Sequence, residues 1–301
     1  MAEKFYIDDI AYHPTFNCNL SCRGCVNYSN HLETRQIPDE SNWERDLDIL
    51  FERFDVRHIE IAGGETLMFP HLQQVLAKLT PVKSYTVTTN GLLLHKNMWL
   101  KDLLDSDSRL RIIISVHGHP MLESVYIKNL CESVGKFIGI SPDKFKRNLR
   151  QHFLTNTGPN TLNLFKIYND RIRVKNHHKG SWNYPLMDEN ELPIQFNNSK
   201  EDAYSMCICP GMHIKNGKIY KCPMTAMLPS VLDVKKVYDK KWQYIRDYRP
   251  YNLLEEHNSS DWERLPQPED VCTKCPYAAH EWDRTKTDLH SKIVFGESVL
   301  K

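Results

Sequence analysis

The sequence predicts an α/β fold built on a parallel sheet, and three observations carry that expectation. Strand and helix patterns alternate from residue 39 to about 135. The connections between them are short, as in parallel βα units. Each strand pattern also ends in small or polar residues, at the end of the strand where such sheets bind ligands.

A short strand precedes CNLSCRGC. SNWERDLDILFERF then places Trp43, Leu47, Leu50 and Phe54 on one helical face, with Ser41 and Glu44 spaced as a capping box. HIEIA is a strand ending at Gly63-Gly64, and PHLQQVLAKL is a helix with Leu72, Val75, Leu76 and Leu79 on one side. SYTVTT is rich in β-formers and ends at Asn90-Gly91; a helix around NMWLKDLL follows. LRIIISV is a buried-strand candidate ending at His117-Gly118. MLESVYIKNLCESV then spaces Leu122, Tyr126, Leu130 and Val134 as a helix does. The strand ends CNLSCRGC, AGGET, TTNG and SVHG are therefore expected on one rim.

Beyond residue 150 the pattern weakens. TLNLFKIY and RIRVKN are strand candidates, and the polar stretch from 176 to 203 is a boundary candidate, giving domains at 1–200 and 201–301. MHIKNGKIYKC reads as a hairpin, because Asn-Gly favours a two-residue type I′ turn. VKKVYDKKWQYIRDY is a helix candidate, and a final CTKCP follows.

The chain has 301 residues, enough for one large domain or a large one plus a small one. Hydrophobic residues at 41% suffice for a sizeable core, and 26% charged residues with 12 glycines argue against disorder. A net charge of +1 makes no electrostatic case for a polyanion partner. MAEKFYIDDIAYH lacks a signal-segment pattern, and the apolar runs are too short for a bilayer. A cytoplasmic protein without a membrane partner is expected. Thiols stay reduced there, so nine cysteines in clusters point to metal or catalysis.

Cys18, Cys22 and Cys25 have three and then two residues between them. Thiolates select zinc, copper(I) or iron–sulfur clusters. A structural zinc site closes with a fourth Cys or His, and His13 and His31 are near enough in sequence to be considered. A four-iron cube takes one protein ligand per iron, so three thiolates leave one iron open to a small molecule. Spacing favours the cube and leaves zinc open.

Those cysteines, with AGGET after the second strand, resemble the cluster and Gly-Gly-Glu motifs of the radical S-adenosylmethionine (SAM) enzymes over about residues 8–135. The resemblance implies a partial (β/α)6, TIM-like barrel with a 4Fe-4S cluster on Cys18, Cys22 and Cys25. It implies that SAM chelates the open iron, and that a 5′-deoxyadenosyl radical removes hydrogen from an unactivated C–H bond. A flavodoxin- or ferredoxin-type protein would supply the electron. Gly63, Gly64 and Glu65 would meet the methionyl amino group: glycines admit close backbone approach, and a carboxylate suits an ammonium. Asn90 and Ser115 would hydrogen-bond ribose or carboxylate; read alone, they are a turn and a strand end. Gly24 stands where the family usually has an aromatic residue, and Thr66 where proline often follows the motif.

The second group is Cys207, Cys209, Cys222, Cys272 and Cys275. A hairpin flanked by cysteines, followed by a close pair, resembles the Twitch domain, a shortened relative of SPASM. The resemblance implies a small C-terminal α+β domain with an auxiliary 4Fe-4S cluster on Cys209, Cys222, Cys272 and Cys275. Four cysteines equally permit structural zinc. Cys207 is then left over, either as a spare ligand or as a catalytic thiol that returns hydrogen to a substrate radical. Cys131, between Leu130 and Val134, reads as an ordinary buried cysteine. His117 faces the expected rim, while His119 and His177-His178 have less context, since 14 histidines make chance pairs common.

The expected activity is of oxidoreductase or isomerase type: oxidation, epimerisation or rearrangement of a small, carbohydrate-like substrate. A peptide, a modified nucleotide or a nucleic-acid base are alternative substrates. A zinc-stabilised binding protein is the non-enzymatic alternative.

Overall fold

The computed structural model describes residues 4–22, 25–32, 42–117, 124–155, 164–176, 179–182, 190, 192–207, 211–255, 262–275 and 280–283. The chain begins with β1 (Phe5–Thr15), α1 (Trp43–Arg53), β2 (Phe54–Gly63), α2 (Leu72–Lys78), β3 (Ser84–Thr89) and α3 (Trp99–Ser106). Next come β4 (Leu110–Val116), α4 (Val125–Ile138), α5 (Pro142–Thr155), β5 (Leu164–Ile167), β6 (Ile172–Asn176), β7 (Lys179–Trp182) and α6 (Lys200–Ser205). The chain continues through β8 (Met212–Lys215), β9 (Lys218–Tyr220), α7 (Pro223–Val234), α8 (Gln243–Arg246), β10 (Tyr251–Asn252) and β11 (His280–Asp283).

One nine-stranded sheet runs in the order β10-β9-β8-β1-β2-β3-β4-β6-β5. Its central strands, from β8 through β1 to β4 and β6, pair in parallel. β9, β10 and β5 join by antiparallel pairing, and β7 with β11 forms a separate antiparallel pair. The parallel α/β expectation is thus met, and β3 and β4 have the expected bounds. In β4 the pattern has a direct physical cause: Leu110, Ile112, Ile114 and Val116 are fully buried in the main core. Arg111 and Ile113, between them, are only half-buried on the opposite face.

Several expectations need correction. Phe54 does not extend the α1 face. It opens β2 opposite Phe5, and its ring packs on Phe5, Tyr251 and Trp262. The helix expected over 234–248 is broken, because Lys236 takes a left-handed φ of 54° and Asp239 caps a new turn through the Lys241 amide. Only four residues of that stretch form α8. The real helix, α7, lies just before it. α5 was not expected, although Phe145, Leu149 and Phe153 recur at helical spacing among its charged residues. Ser41 of the expected capping box lies outside the described residues, and Asn42 at the N-cap makes no side-chain cap bond.

The hairpin forms as expected, with Asn216 and Gly217 at φ 51° and 68°. However, β8 also pairs in parallel with β1, so residues beyond 201 add strands to the main sheet. A second core likewise draws on both parts of the chain: Phe16, Tyr28 and Leu32 pack with Met224, Met227, Trp242 and Val271. Among the described residues, no helix is long and apolar enough to cross a membrane.

Candidate active site

Parallel pairing sets the carboxyl ends of β1, β2, β3 and β4 side by side, so the four strand-end sequences share one rim. The cysteine loop after β1 is sewn to that rim by backbone. Gly64 N–H donates to Thr15 O at 2.9 Å and Glu65 N–H to Asn17 O at 2.7 Å. Asn27 Nδ2 donates to Gly63 O at 2.6 Å. The two glycines are required by this approach. A Cβ on Gly64 would lie 2.2 Å from Asn17 O, and one on Gly63 2.3 Å from Thr15 O, with Gly63 at φ +136°.

Glu65 is completely buried, and its carboxylate is engaged within the protein. The Thr89 hydroxyl donates to Oε1 at 2.5 Å, the Leu67 amide to Oε1 at 3.1 Å and the Asn90 amide to Oε2 at 2.7 Å. Burial raises this carboxyl above its ordinary range, against the lowering effect of those donors. Asn90 is also committed: its Nδ2 donates to Asn19 Oδ1 at 2.6 Å, and its Oδ1 accepts from Leu92 N–H. A chain of contacts therefore runs from Asn19, between Cys18 and Cys22, through Asn90 to Glu65 and Thr89. Ser115 is buried at the end of β4. Behind it Tyr126 donates to Ser115 O at 3.4 Å and accepts from the His117 amide at 3.1 Å.

Cys18, Cys22 and Cys25 are half-buried free thiols on this loop. Burial pushes the Cys18 thiol well up, with Glu65, Cys25 and Cys22 adding to the rise. Three soft donors on one loop at the rim suit the chemistry of a four-iron cube with one free corner. Arg23 and Gly24 lie outside the described residues.

The second thiol group lines a cavity of about 610 Å³. Cys207, Cys222, Cys272 and Cys275 stand on its wall with Tyr28 and Lys221. Cys222 caps the N-terminus of α7, a position that favours a thiolate, although burial still pushes its thiol up to about 11. Lys221 Nζ donates to Leu265 O at 2.8 Å and Gln267 O at 2.5 Å, placing a buried positive charge beside the cavity. Four thiols with a neighbouring cation fit an anionic iron–sulfur occupant. Among the described residues no three His, Cys, Asp or Glu side chains converge as the ligands of one ion do. A cube sets each thiolate on its own iron, so its ligands stand further apart than those of a single ion.

Cys209 lies outside the described residues. Cys207, expected as the surplus thiol, is exposed and lines the same wall as the half-buried Cys222, Cys272 and Cys275. Cys131 is buried in α4, as expected. His119, His177 and His178 fall outside the described residues.

Sequence reasoning missed the sheet face away from the helices. Register places Asp9, His58, Glu60, Thr86, Thr88 and Lys175 on it. Thr88 donates to Glu60 Oε1 at 2.5 Å, and His58 lies within hydrogen-bond distance of Ser84 and Thr86. Burial, with Asp8 adding, pushes the Asp9 carboxyl up to about 6; burial also lowers Lys175. A carboxylate inside the otherwise apolar HIEIA was the available signal. Closer to the rim, buried His13 and His213 approach at 2.7 Å and tie β1 to β8.

The profile described as "Radical SAM superfamily" matches residues 12–176, more than half the chain. A Methanosarcina mazei protein named "Probable GTP 3′,8-cyclase" is 38% identical over 85 residues, 27% of this chain and 25% of that protein. A Mycobacterium marinum protein named "GTP 3′,8-cyclase" is 32% identical over 93 residues, 29% of this chain and 26% of that one. The matched stretch thus spans about a quarter of these curated relatives. Among solved structures, native anSMEcpe with bound AdoMet and the Cp18Cys peptide aligns over 65% of this chain and 56% of its own, with 13% identity and a TM-score of 0.36. On the strength of the profile match, which takes in the three-cysteine loop, Gly-Gly-Glu and the parallel strands that carry them, the chain belongs to the radical SAM superfamily.

Proposed function

We propose that this chain cleaves SAM reductively at Cys18, Cys22 and Cys25, carries an auxiliary cluster in the second thiol cavity, and acts on a small polar substrate. The observation that carries the reading is the joining of the three-cysteine loop to Gly63, Gly64 and Glu65 on one rim. When bound and reduced, the first cluster with SAM supplies a 5′-deoxyadenosyl radical that takes a hydrogen atom from substrate. Cys18, Cys22 and Cys25 would hold that cluster. Glu65, Asn90 and Asn19 would hold the loop in register with the rim. With those side chains spent on one another, Gly63 and Gly64, which carry no side chains, would leave room on the rim for the methionyl group. Cys207, Cys222, Cys272 and Cys275 would hold the auxiliary cluster, with Cys209 as a further candidate.

The polar sheet face suits the substrate. Asp9 and Glu60 on β1 and β2 would accept from base or sugar donors, while Arg173 and Lys175 on β6 suit phosphate or carboxylate oxygens. The names of the curated relatives make a nucleoside triphosphate the first substrate to try; the carbohydrate-like expectation has no counterpart among those names. The oxidoreductase or isomerase outcome and the flavodoxin- or ferredoxin-type donor remain part of this proposal.

The test is anaerobic reconstitution with iron and sulfide counting, then reduction with SAM and detection of 5′-deoxyadenosine. About eight irons per chain, with deoxyadenosine abolished in the Cys18/Cys22/Cys25→Ala variant, is the expected result. Zinc at both sites with no SAM cleavage would refute it. Adding GTP, other nucleotides and sugars in turn, and following substrate-dependent deoxyadenosine, separates the substrate classes.

A further inference from the structure

Between the two thiol groups stands a side chain that neither motif includes. Tyr28 lies three residues after Cys25, and its amide donates to Cys25 O at 2.9 Å, closing a turn under the first cysteine loop. The turn holds Tyr28 at a φ of +54°, a conformation costly for a bulky residue. From there the ring passes into the second core, against which Cys222, Cys272 and Cys275 also pack, and it lines the thiol cavity. Tyr28 is 2% exposed, yet among the described residues its hydroxyl has no hydrogen-bond partner. Cys222, Cys275 and Cys25 all lie within its electrostatic reach.

A buried hydroxyl without a partner costs free energy and normally finds one. Its backbone is strained to put it there. The cavity wall that it shares carries sulfur, an acceptor whose strength rises when it is an iron-bound thiolate. Tyr244 resembles it: its hydroxyl is also buried and has no partner among the described residues.

We propose that the Tyr28 hydroxyl donates a hydrogen bond to a thiolate sulfur of the auxiliary cluster, and so acts as a positioning residue that sets that cluster's potential beside the SAM site. The inference rests on the auxiliary-cluster reading above. A hydrogen bond to cluster sulfur stabilises the more negatively charged, reduced state and raises the potential. It also gives a physical role to the join between β1's loop and the C-terminal thiols.

The experiment is a potentiometric titration of the auxiliary cluster, followed by electron paramagnetic resonance, in Cys18/Cys22/Cys25→Ala chains that load only the second site. Tyr28→Phe is expected to keep its iron and to move the midpoint to more negative values. A tenfold fall in the reduced-to-oxidised ratio at fixed potential corresponds to about 59 mV for a one-electron couple. The same variant without iron is expected to be as stable as the parent or more so, because the hydroxyl it loses is unpartnered there. A merely structural tyrosine would do the reverse, lowering stability and leaving the midpoint unmoved. Full loading with an unmoved midpoint overturns the proposal. Should Tyr28→Phe fail to load, fluorotyrosine at position 28 decides: its stronger donor is expected to raise the midpoint, and no change overturns the proposal. Absence of iron from the parent's second site would overturn the auxiliary-cluster reading itself, a result distinct from loaded clusters with equal potentials.

Discussion

Replacing Glu65 with glutamine separates two roles for the Gly-Gly-Glu carboxylate. The side chain is fully buried, and three donors converge on it, from Thr89, Leu67 and Asn90. An amide keeps the shape but supplies only one acceptor oxygen. If that oxygen serves the Asn90 amide, the new NH2 faces Thr89, whose hydroxyl can turn to accept, and the Leu67 amide loses its partner. An orphaned buried amide costs about 1–3 kcal/mol, and the remaining bonds lose their charge assistance. The expected loss for Glu65→Gln is therefore about 2–3 kcal/mol, and Glu65→Ala, which strands all three donors, should lose roughly twice that. Urea unfolding of the reduced, iron-free chain at neutral pH measures it without any ligand. Calorimetric SAM binding to the reconstituted variant provides the second reading. A Glu65→Gln chain within about 0.5 kcal/mol of the parent that loses SAM affinity would refute the reasoning, since the carboxylate would then act on the ligand and not on the rim.

The remaining expectations concern backbone and charge. Gly64→Ala would set a Cβ 2.2 Å from Asn17 O and 2.6 Å from Phe16 O, both backbone atoms that cannot swing aside. The loop must shift, so iron retention at Cys18, Cys22 and Cys25 should fall while the second thiol site still loads, as metal counting on single-site variants will show. Asp107 is held near a pKa of about 2, first by hydrogen bonds from Arg109, whose guanidinium also bonds the carbonyls of Leu79, Thr80 and Val82. Its folded pKa is depressed, so its contribution, about 2 kcal/mol, is complete above about pH 4 and is lost as pH falls through about 2. Asp107→Asn should therefore be less stable at neutral pH, with the gap closing in acid. Parallel unfolding curves between pH 7 and pH 2 check the sign.

The sheet was legible because burial writes its period into the residues. LRIIISV and SYTVTT could be bounded to the residue, since one face of each enters the main core and chain direction follows from short βα connections. α5 escaped although Phe145, Leu149 and Phe153 recur every four residues, because charged and polar residues fill the positions between them. The expected helix over 234–248 failed because propensity was outweighed by a left-handed Lys236 and a capped turn at Asp239. At the site, the thiols were readable from their spacing, and Gly63 and Gly64 from their resemblance to a Gly-Gly-Glu motif at the end of the second strand. Glu65 and Asn90 could be found as residues, but not in their observed partnership, because a hydrogen bond across 25 positions has no local signature. Tyr28, Lys221 and the Asp9–Glu60 face carry no motif at all; only tertiary placement distinguishes them from ordinary core and surface.

The two thiol sites come close together because of a strand that is too short. β8 pairs with β1 only at Ile10, Ala11 and Tyr12, so this pairing leaves the first half of that edge of β1 uncovered. The Asn216-Gly217 turn then sends β9 back alongside β8, with Tyr220 opposite His213. Continuing that register brings Lys221 level with Met212 and Cys222 level with Gly211, beside the uncovered stretch of β1. Gly211 admits the approach: a Cβ there would lie 2.6 Å from Asp9 O. The cavity lies along that edge, bounded by Tyr6, Asp9, Gly211 and Cys222. The loop leaving the other end of β1 closes it through Val26 and Tyr28. A longer β8 would have satisfied more backbone and filled the space with strand. A sheet whose β8 is shorter than the β1 it pairs with thus has a cavity one loop away from its strand-end rim, and the hairpin turn delivers the cysteine that lines it.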